Sequence, residues 1–269
     1  MADLRLILDD LDAEGDELDL IVAGLDDESW SMATPADGWT IAHQIAHLAW
    51  TDEKALLAVT GPDRFRAEIA VAMKDPAGFV DEGAAEGTLV EPADLVDRWR
   101  AGRAALHAAL AAVPDGEKLP WYGPPMGASS MATARIMETW AHGQDVADTL
   151  GVVRASSDRL RHVAHIGVRT RDFAYAVNQL PAPSEPFRIE LTGPEGDLWT
   201  WGPEAAPQRV TGPALDFCLL VTQRRHRDDT DVRAEGSDAD QWLDIAQAFA
   251  GSPGGGRKAA QFRKAGQSS

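Results

Sequence analysis

SSMATARIMETWAHGQDVADTLG, residues 129–151, is the stretch around which the chain is organised. It reads as one complete helix: Ser129 or Ser130 caps its start, apolar residues recur at helical spacing, and Gly151 closes its end. On that helix Glu138 and His142 stand one turn apart, and Asp145 follows one turn later on nearly the same side. A carboxylate and an imidazole therefore point into one space. E-x-x-x-H is half of a divalent metal site and needs at least one further donor. By itself this spacing is equally that of an ordinary solvated Glu–His pair.

Composition limits what could surround such a pair. With 269 residues and a 44% hydrophobic share, the chain can bury a sizeable core and is long enough for two domains. It contains no apolar run of membrane-spanning length, and MADLRLILDDLDAEGDELD lacks the basic start and apolar core of a signal peptide. A cytoplasmic protein with no membrane partner is expected. The single cysteine, Cys218, lies between Phe217 and Leu219 and reads as a buried, inert thiol. A net charge of −18 disfavours nucleic acid as a partner, since phosphate-backbone binding depends on clustered Lys and Arg. A small-molecule substrate is expected instead.

In chain order, Leu4, Leu8, Leu11, Leu18, Val22 and Leu25 form the stripe of an amphipathic helix whose other face is acidic. Asp37-Gly-Trp-Thr opens a second helix, TIAHQIAHLAWTDEKALLAV, which Gly61-Pro62 ends. His43 and His47 lie one turn apart on it, either as satisfied imidazoles or as donors toward Glu138 and His142 if the two segments pack side by side. A helix over Arg64 to Met73 and then a Gly-rich acidic loop are expected, followed by a helix from Pro92 carrying Leu95, Trp99, Leu106 and Leu110. KLPWYGPPMGASS leads into the organising helix; its Trp121, Tyr122 and Met126 either wall a pocket or pack beneath the bundle.

GWTIAHQIAHL followed much later by METWAHGQDVADTLG resembles the mycothiol-dependent maleylpyruvate isomerase and DinB-like metal-binding superfamily. The resemblance implies an α+β fold, in which an N-terminal DinB-like four-helix bundle precedes a smaller C-terminal α+β domain. It also implies that His47, Glu138 and His142 ligate a divalent metal, with zinc foremost and nickel or iron also compatible with two imidazoles and a carboxylate. His43 is then left beside the metal or in the pocket. Asp145 matches a recurrent Asp that could orient His142 through its other ring nitrogen.

The expected domains are a metal-binding bundle over residues 1–155, a connecting helix and α+β domain over 156–250, and a disordered tail over 251–269. A single connecting helix is expected over 156–180, ended by Pro181-Ala-Pro-Ser-Glu-Pro. FRIELTG and DLWTWG then alternate as a hairpin about Pro194-Glu-Gly-Asp. A strand near Val210, a helix over Ala214 to Gln223, a strand near Val232 and a helix through Trp242 to Phe249 follow. Gln223-Arg-Arg-His-Arg227 is the densest basic run, either a solvated helix end or a substrate contact. The resemblance makes Arg224 the match for a catalytic arginine that reaches a substrate carboxylate, with Arg225 as the alternative.

Three protein ligands leave a coordination position open, the pattern of a catalytic metal. The chain has no well-placed cysteine of its own, and the resemblance implies mycothiol, a low-molecular-weight thiol, as cosubstrate. The expected activity is a metal-dependent, mycothiol-using thiol transferase or isomerase acting on a small electrophilic, anionic compound. The alternatives are a metal-assisted hydrolase and a non-catalytic metal-containing binding or stress-response protein.

Overall fold

The expected first amphipathic stripe forms α1, Leu4–Val22, which buries Ile7, Leu8, Leu11, Leu18 and Val22 and is capped by Asp3, whose carboxylate accepts from the Arg5 N–H at 3.0 Å. The structure, a computed structural model, describes residues 3–72, 78–251 and 253–262. The chain is α+β and divides into two compact units, Met1–Arg154 and Ala155–Ser269.

In the first unit α1 is followed by α2, Asp27–Trp30, then α3, Ile41–Thr60, α4, Pro62–Ala72, α5, Phe79–Gly87, α6, Pro92–Ala111, and α7, Ala128–Leu150. The long helices α1, α3, α6 and α7 pack on one another. Between them Leu18, Ile41, Ile45, Leu48, Trp99 and Val146 form one fully buried cluster. Ile7, Leu8, Leu106, Leu110, Met131 and Ile136 form another. Each such aliphatic side chain contributes about 1.5–3 kcal/mol on leaving water.

The organising helix α7 starts one residue before the expected cap, with Gly127 in the N-cap position, and ends as read: Gly151 takes the left-handed conformation at φ 67°. There the Val152 N–H donates to the Ala147 carbonyl at 2.9 Å, closing the last turn. A buried ion pair, Arg135 Nε to Asp52 Oδ1 at 2.8 Å, ties α7 to α3. Burial raises the Asp52 carboxyl, against the attraction of Arg135. At the end of the unit, Arg154 donates to Glu17 at 2.9 Å, to the Trp140 carbonyl at 2.9 Å, and to Glu14.

The acidic loop expected after α4 is instead partly helical, as α5. Its two glycines lower helix propensity and hide the pattern from a sequence reading. They are there because α5 lies close on α3: a Cβ on Gly83 would come within 2.7 Å of the Trp50 ring, and one on Gly87 within 2.7 Å of the Ala46 Cβ. Met73, the last residue of the helix expected before that loop, lies outside the described residues.

The second unit opens with two helices where one was expected. These are α8, Leu160–Arg169, and α9, Arg171–Val177. They part at Thr170, whose hydroxyl bonds the Gln247 carbonyl at 2.6 Å. The hairpin β1, Phe187–Thr192, and β2, Leu198–Trp201, is extended by β3, Gln208–Pro213. After α10, Ala214–Val221, a short 3₁₀ turn leads to β4, Arg233–Glu235, and α11, Ser237–Ile245. The sheet order is β2-β1-β3-β4, with β1 and β3 parallel and the outer pairs antiparallel.

Alternation on β1 points Phe187, Ile189 and Leu191 inward, where Phe187 and Phe217 meet the buried Trp242 edge-on at 5.7 and 5.9 Å. Cys218 is fully buried beside them and its thiol is pushed up by that burial. Of the tail, residues 253–262 are described, and the Ala260 N–H donates to both Asp229 oxygens at 3.0 and 2.9 Å. Residues 263–269 lie outside the described residues. No helix of the described residues is long and apolar enough to cross a membrane.

Candidate metal centre

Helix α3 presents His47 and helix α7 presents Glu138 and His142 to one point. Their ligand atoms all lie within 4.8 Å of one another. His47 Nε2 is 3.3 Å and His142 Nε2 3.4 Å from Glu138 Oε2, and the two imidazole rings are 4.4 Å apart between centroids. Burial alone would raise the Glu138 carboxyl. Hydrogen bonds and charge from His142 and His47, when protonated, outweigh it and hold the group well below the usual carboxylate range.

The orientation of His142 is set by a chain of hydrogen bonds. Its Nδ1 lies 2.5 Å from Gln44 Oε1, Gln44 Nε2 donates to Thr34 Oγ1 at 2.9 Å, and the Thr34 hydroxyl donates to the Trp39 carbonyl at 2.9 Å. Because that hydroxyl gives its proton to a carbonyl, Thr34 Oγ1 accepts from Gln44. The Gln44 carboxamide oxygen must then accept from His142. The imidazole proton resides on Nδ1, so the Nε2 lone pair faces Glu138. A lone pair and a carboxylate oxygen at 3.4 Å repel unless a cation or a proton stands between them. This donor set, two imidazoles and a carboxylate, fits a divalent metal.

Among the described residues, His47 Nδ1 is a buried ring nitrogen with no hydrogen-bond partner. His142 Nδ1, the nitrogen expected to face Asp145, has Gln44 Oε1 beside it at 2.5 Å. Asp145 itself is fully buried on α7. Gln44, one turn before Leu48 and on the face of His47, is a functional residue that the sequence does not flag, because a neutral amide carries no signal of its own.

His43 serves the helix start. Its Nδ1 accepts from the Thr40 N–H at 3.3 Å and lies 2.8 Å from the Thr40 hydroxyl, so the ring caps α3. Burial lowers its pKa, with Asp81 acting in the opposite sense. Trp39 covers the cluster: its ring stacks on His142 at 5.8 Å and lies 5.2 Å from His47, and its Nε1 donates to Asp81 of α5 at 3.0 Å.

From His47 a run of ring contacts leads away through Trp50 at 6.2 Å and Phe79 at 4.9 Å to Tyr122 at 5.5 Å. Tyr122 and Trp121 both pack on Phe65, so this segment joins the aromatic wall and the packing beneath it. Arg224 belongs to the second unit, where its Nη1 donates to the Thr222 carbonyl at 2.7 Å.

The fold and this cluster define a protein with an α-helical unit built around a His/Glu/His constellation and a small mixed-sheet unit after it. The family model described as the mycothiol maleylpyruvate isomerase N-terminal domain matches residues 11–147, and the chain belongs to that family. A second model, described as wyosine base formation, matches residues 183–235. Two curated relatives from different strains of Mycobacterium tuberculosis, each called only an uncharacterized protein, are 60% identical over 257 residues, covering 96% of this chain and 100% of theirs. The crystal structure of the mycothiol-dependent maleylpyruvate isomerase has a similar fold: TM-score 0.59 at 18% identity, covering 86% of this chain and 92% of that one. A single-site mutant of that enzyme superposes equally well, with TM-score 0.59 at 19% identity, again covering 86% of this chain and 92% of that one.

Proposed function

We propose that the chain is a metal-dependent, mycothiol-using thiol transferase or isomerase acting on a small electrophilic, anionic compound. The observation that carries this reading is the convergence of His47 Nε2, Glu138 Oε2 and His142 Nε2 within 4.8 Å, in a member of a family described by a mycothiol-dependent isomerase. These three residues would hold the metal, with zinc foremost and nickel or iron compatible. When bound, such a metal lowers the pKa of a thiol and keeps it as thiolate at neutral pH.

The rest follows from this chain's own residues. Gln44 keeps the His142 proton on Nδ1 and leaves Nε2 as a donor. Trp39 screens the two imidazoles from water. Cys218, the chain's one cysteine, is buried and its thiol is raised by that burial, so the reacting thiol must come from outside. For the substrate carboxylate the family position favours Arg224, whose guanidinium can make two parallel hydrogen bonds.

The test is metal analysis of purified protein followed by incubation with mycothiol and a panel of electrophiles that includes maleylpyruvate. Loss of free thiol with product marks a transferase, and unchanged thiol with product marks an isomerase. Product without mycothiol, or no product from metal-loaded protein, would remove the reading. Arg224→Leu should leave metal content unchanged and weaken turnover of a carboxylate substrate, and Arg224→Lys should recover part of it.

A further inference from the structure

His43 stands in the first turn of α3, where its ring takes the place of the glutamate or glutamine of a capping box. The Thr40 N–H can only donate, so His43 Nδ1, 3.3 Å away, is the acceptor, and the Thr40 hydroxyl at 2.8 Å faces the same lone pair. A proton on Nδ1 would break this cap. Burial lowers the pKa of the ring, with Asp81 opposing, and the neutral ring then carries its proton on Nε2.

Among the described residues that Nε2–H has no hydrogen-bond partner, and the ring is part-exposed. Asp81, the acid whose charge reaches the ring, accepts instead from Trp39 Nε1 at 3.0 Å. The free donor lies beside the metal centre. His43 is one turn from His47 on the same face of α3, and one indole, Trp39, has its centroid 6.3 Å from His43, 5.2 Å from His47 and 5.8 Å from His142. The proton of His142 is committed to Gln44, so it has none to offer a ligand.

We propose that His43 is a ligand-contacting residue of the metal centre, its Nε2–H donating to a carboxylate oxygen of the small anionic compound seated beside the metal. The inference rests on the proposed metal site and names a group of the helical unit that selects an anion there. The cap gives the contact its direction: with Nδ1 held by Thr40, the ring cannot exchange tautomers or turn its lone pair outward without losing two hydrogen bonds. A carboxylate offers about four acceptor sites, so this contact does not compete with an arginine for the same group.

Titration of the cobalt-loaded full chain with mercaptoacetate and with ethanethiol tests it, sulfur ligation being read from the visible absorption of the metal. The two probes share a sulfur and a methylene and differ only in carboxylate against methyl. The parent should bind mercaptoacetate the more tightly. His43→Glu and His43→Gln both keep the capping box, but only the Gln offers an N–H. Mercaptoacetate affinity should fall about tenfold or more in His43→Glu, and comparably in the uncharged His43→Leu, while His43→Gln retains most of it. Ethanethiol should bind every form alike. Mercaptoacetate binding indifferent to His43→Glu and His43→Leu, a Gln variant as weak as the Leu variant, or both thiols weakened together would each overturn the proposal. A parent that shows no cobalt–sulfur absorption would remove the metal reading, and this inference with it.

Discussion

His142 Nδ1 stands 2.5 Å from the side-chain oxygen of Gln44, and this contact decides which nitrogen of His142 faces Glu138 as a lone pair. Removing the amide in Gln44→Leu leaves the imidazole free to rotate and exchange tautomers. Metal affinity should fall about 10- to 100-fold, the usual cost of losing a partner behind a ligating histidine. Competition with a fluorescent chelator measures it. Affinity equal to the parent's would show that the hydrogen-bond chain does not orient the ligand.

His47 and His43 should separate cleanly. His47→Ala, like Glu138→Ala and His142→Ala, should abolish stoichiometric metal by elemental analysis. His43→Ala should retain it and instead lose about 0.5–2 kcal/mol of stability, because the ring caps α3. Metal lost with His43 but kept without His47 would reverse the assignment.

Arg135 and Asp52 are 2% and 3% exposed and bridge α7 and α3, the helices that carry Glu138, His142 and His47. Arg135→Met strands a buried acid and should cost about 3–5 kcal/mol in urea unfolding. Adding Asp52→Leu should restore most of that loss. A double variant as unstable as the sum of the singles would mean the pair is not coupled.

Gly87 faces the Ala46 Cβ on the helix that carries His47. Gly87→Val should lift α5, cost about 1–3 kcal/mol from overpacking, and weaken the Trp39–Asp81 bond. The expected signature is quenching or a red shift of Trp39 emission, read in a variant whose other tryptophans have been replaced. Unaltered emission and stability would argue against the close α3–α5 packing.

In the second unit Arg188 and Arg209 are cross-strand partners on β1 and β3, and Glu190 bonds both, at 2.9 and 2.7 Å. Hydrogen bonds from Arg188 and then Arg209 hold the Glu190 carboxyl below its ordinary value. A depressed folded pKa contributes stability above the unfolded pKa, and that contribution is lost as pH falls through the folded value. Glu190→Gln should therefore be less stable than the parent at neutral pH, with the gap closing in acid. A pH-independent gap would assign the effect to packing.

The pattern of α1, α3, α6 and α7 was legible in the sequence because each helix buries one stripe, and a 3.6-residue period survives without knowledge of its partner. The metal candidates were legible for a similar reason: Glu138 and His142 share a turn, so their proximity is set by helix geometry alone. Gly151 marked its helix end because few other residues take a left-handed conformation at low cost.

Tertiary structure decided what depended on a distant partner. Residues 79–87 form a helix despite their glycines because α3 offers a surface they can approach closely, which a local propensity cannot register. The expected connecting helix divides at Thr170, whose hydroxyl bonds Gln247 far along the chain. Both α3 histidines had the same local credentials. Only the packing of α7 against α3 gave His47 a carboxylate, while Thr40 took His43 as a cap. Gln44, ordinary in sequence, fixes a tautomer because folding brings His142 and Thr34 to its two ends: a hydrogen bond needs two partners, and the sequence displays them one at a time.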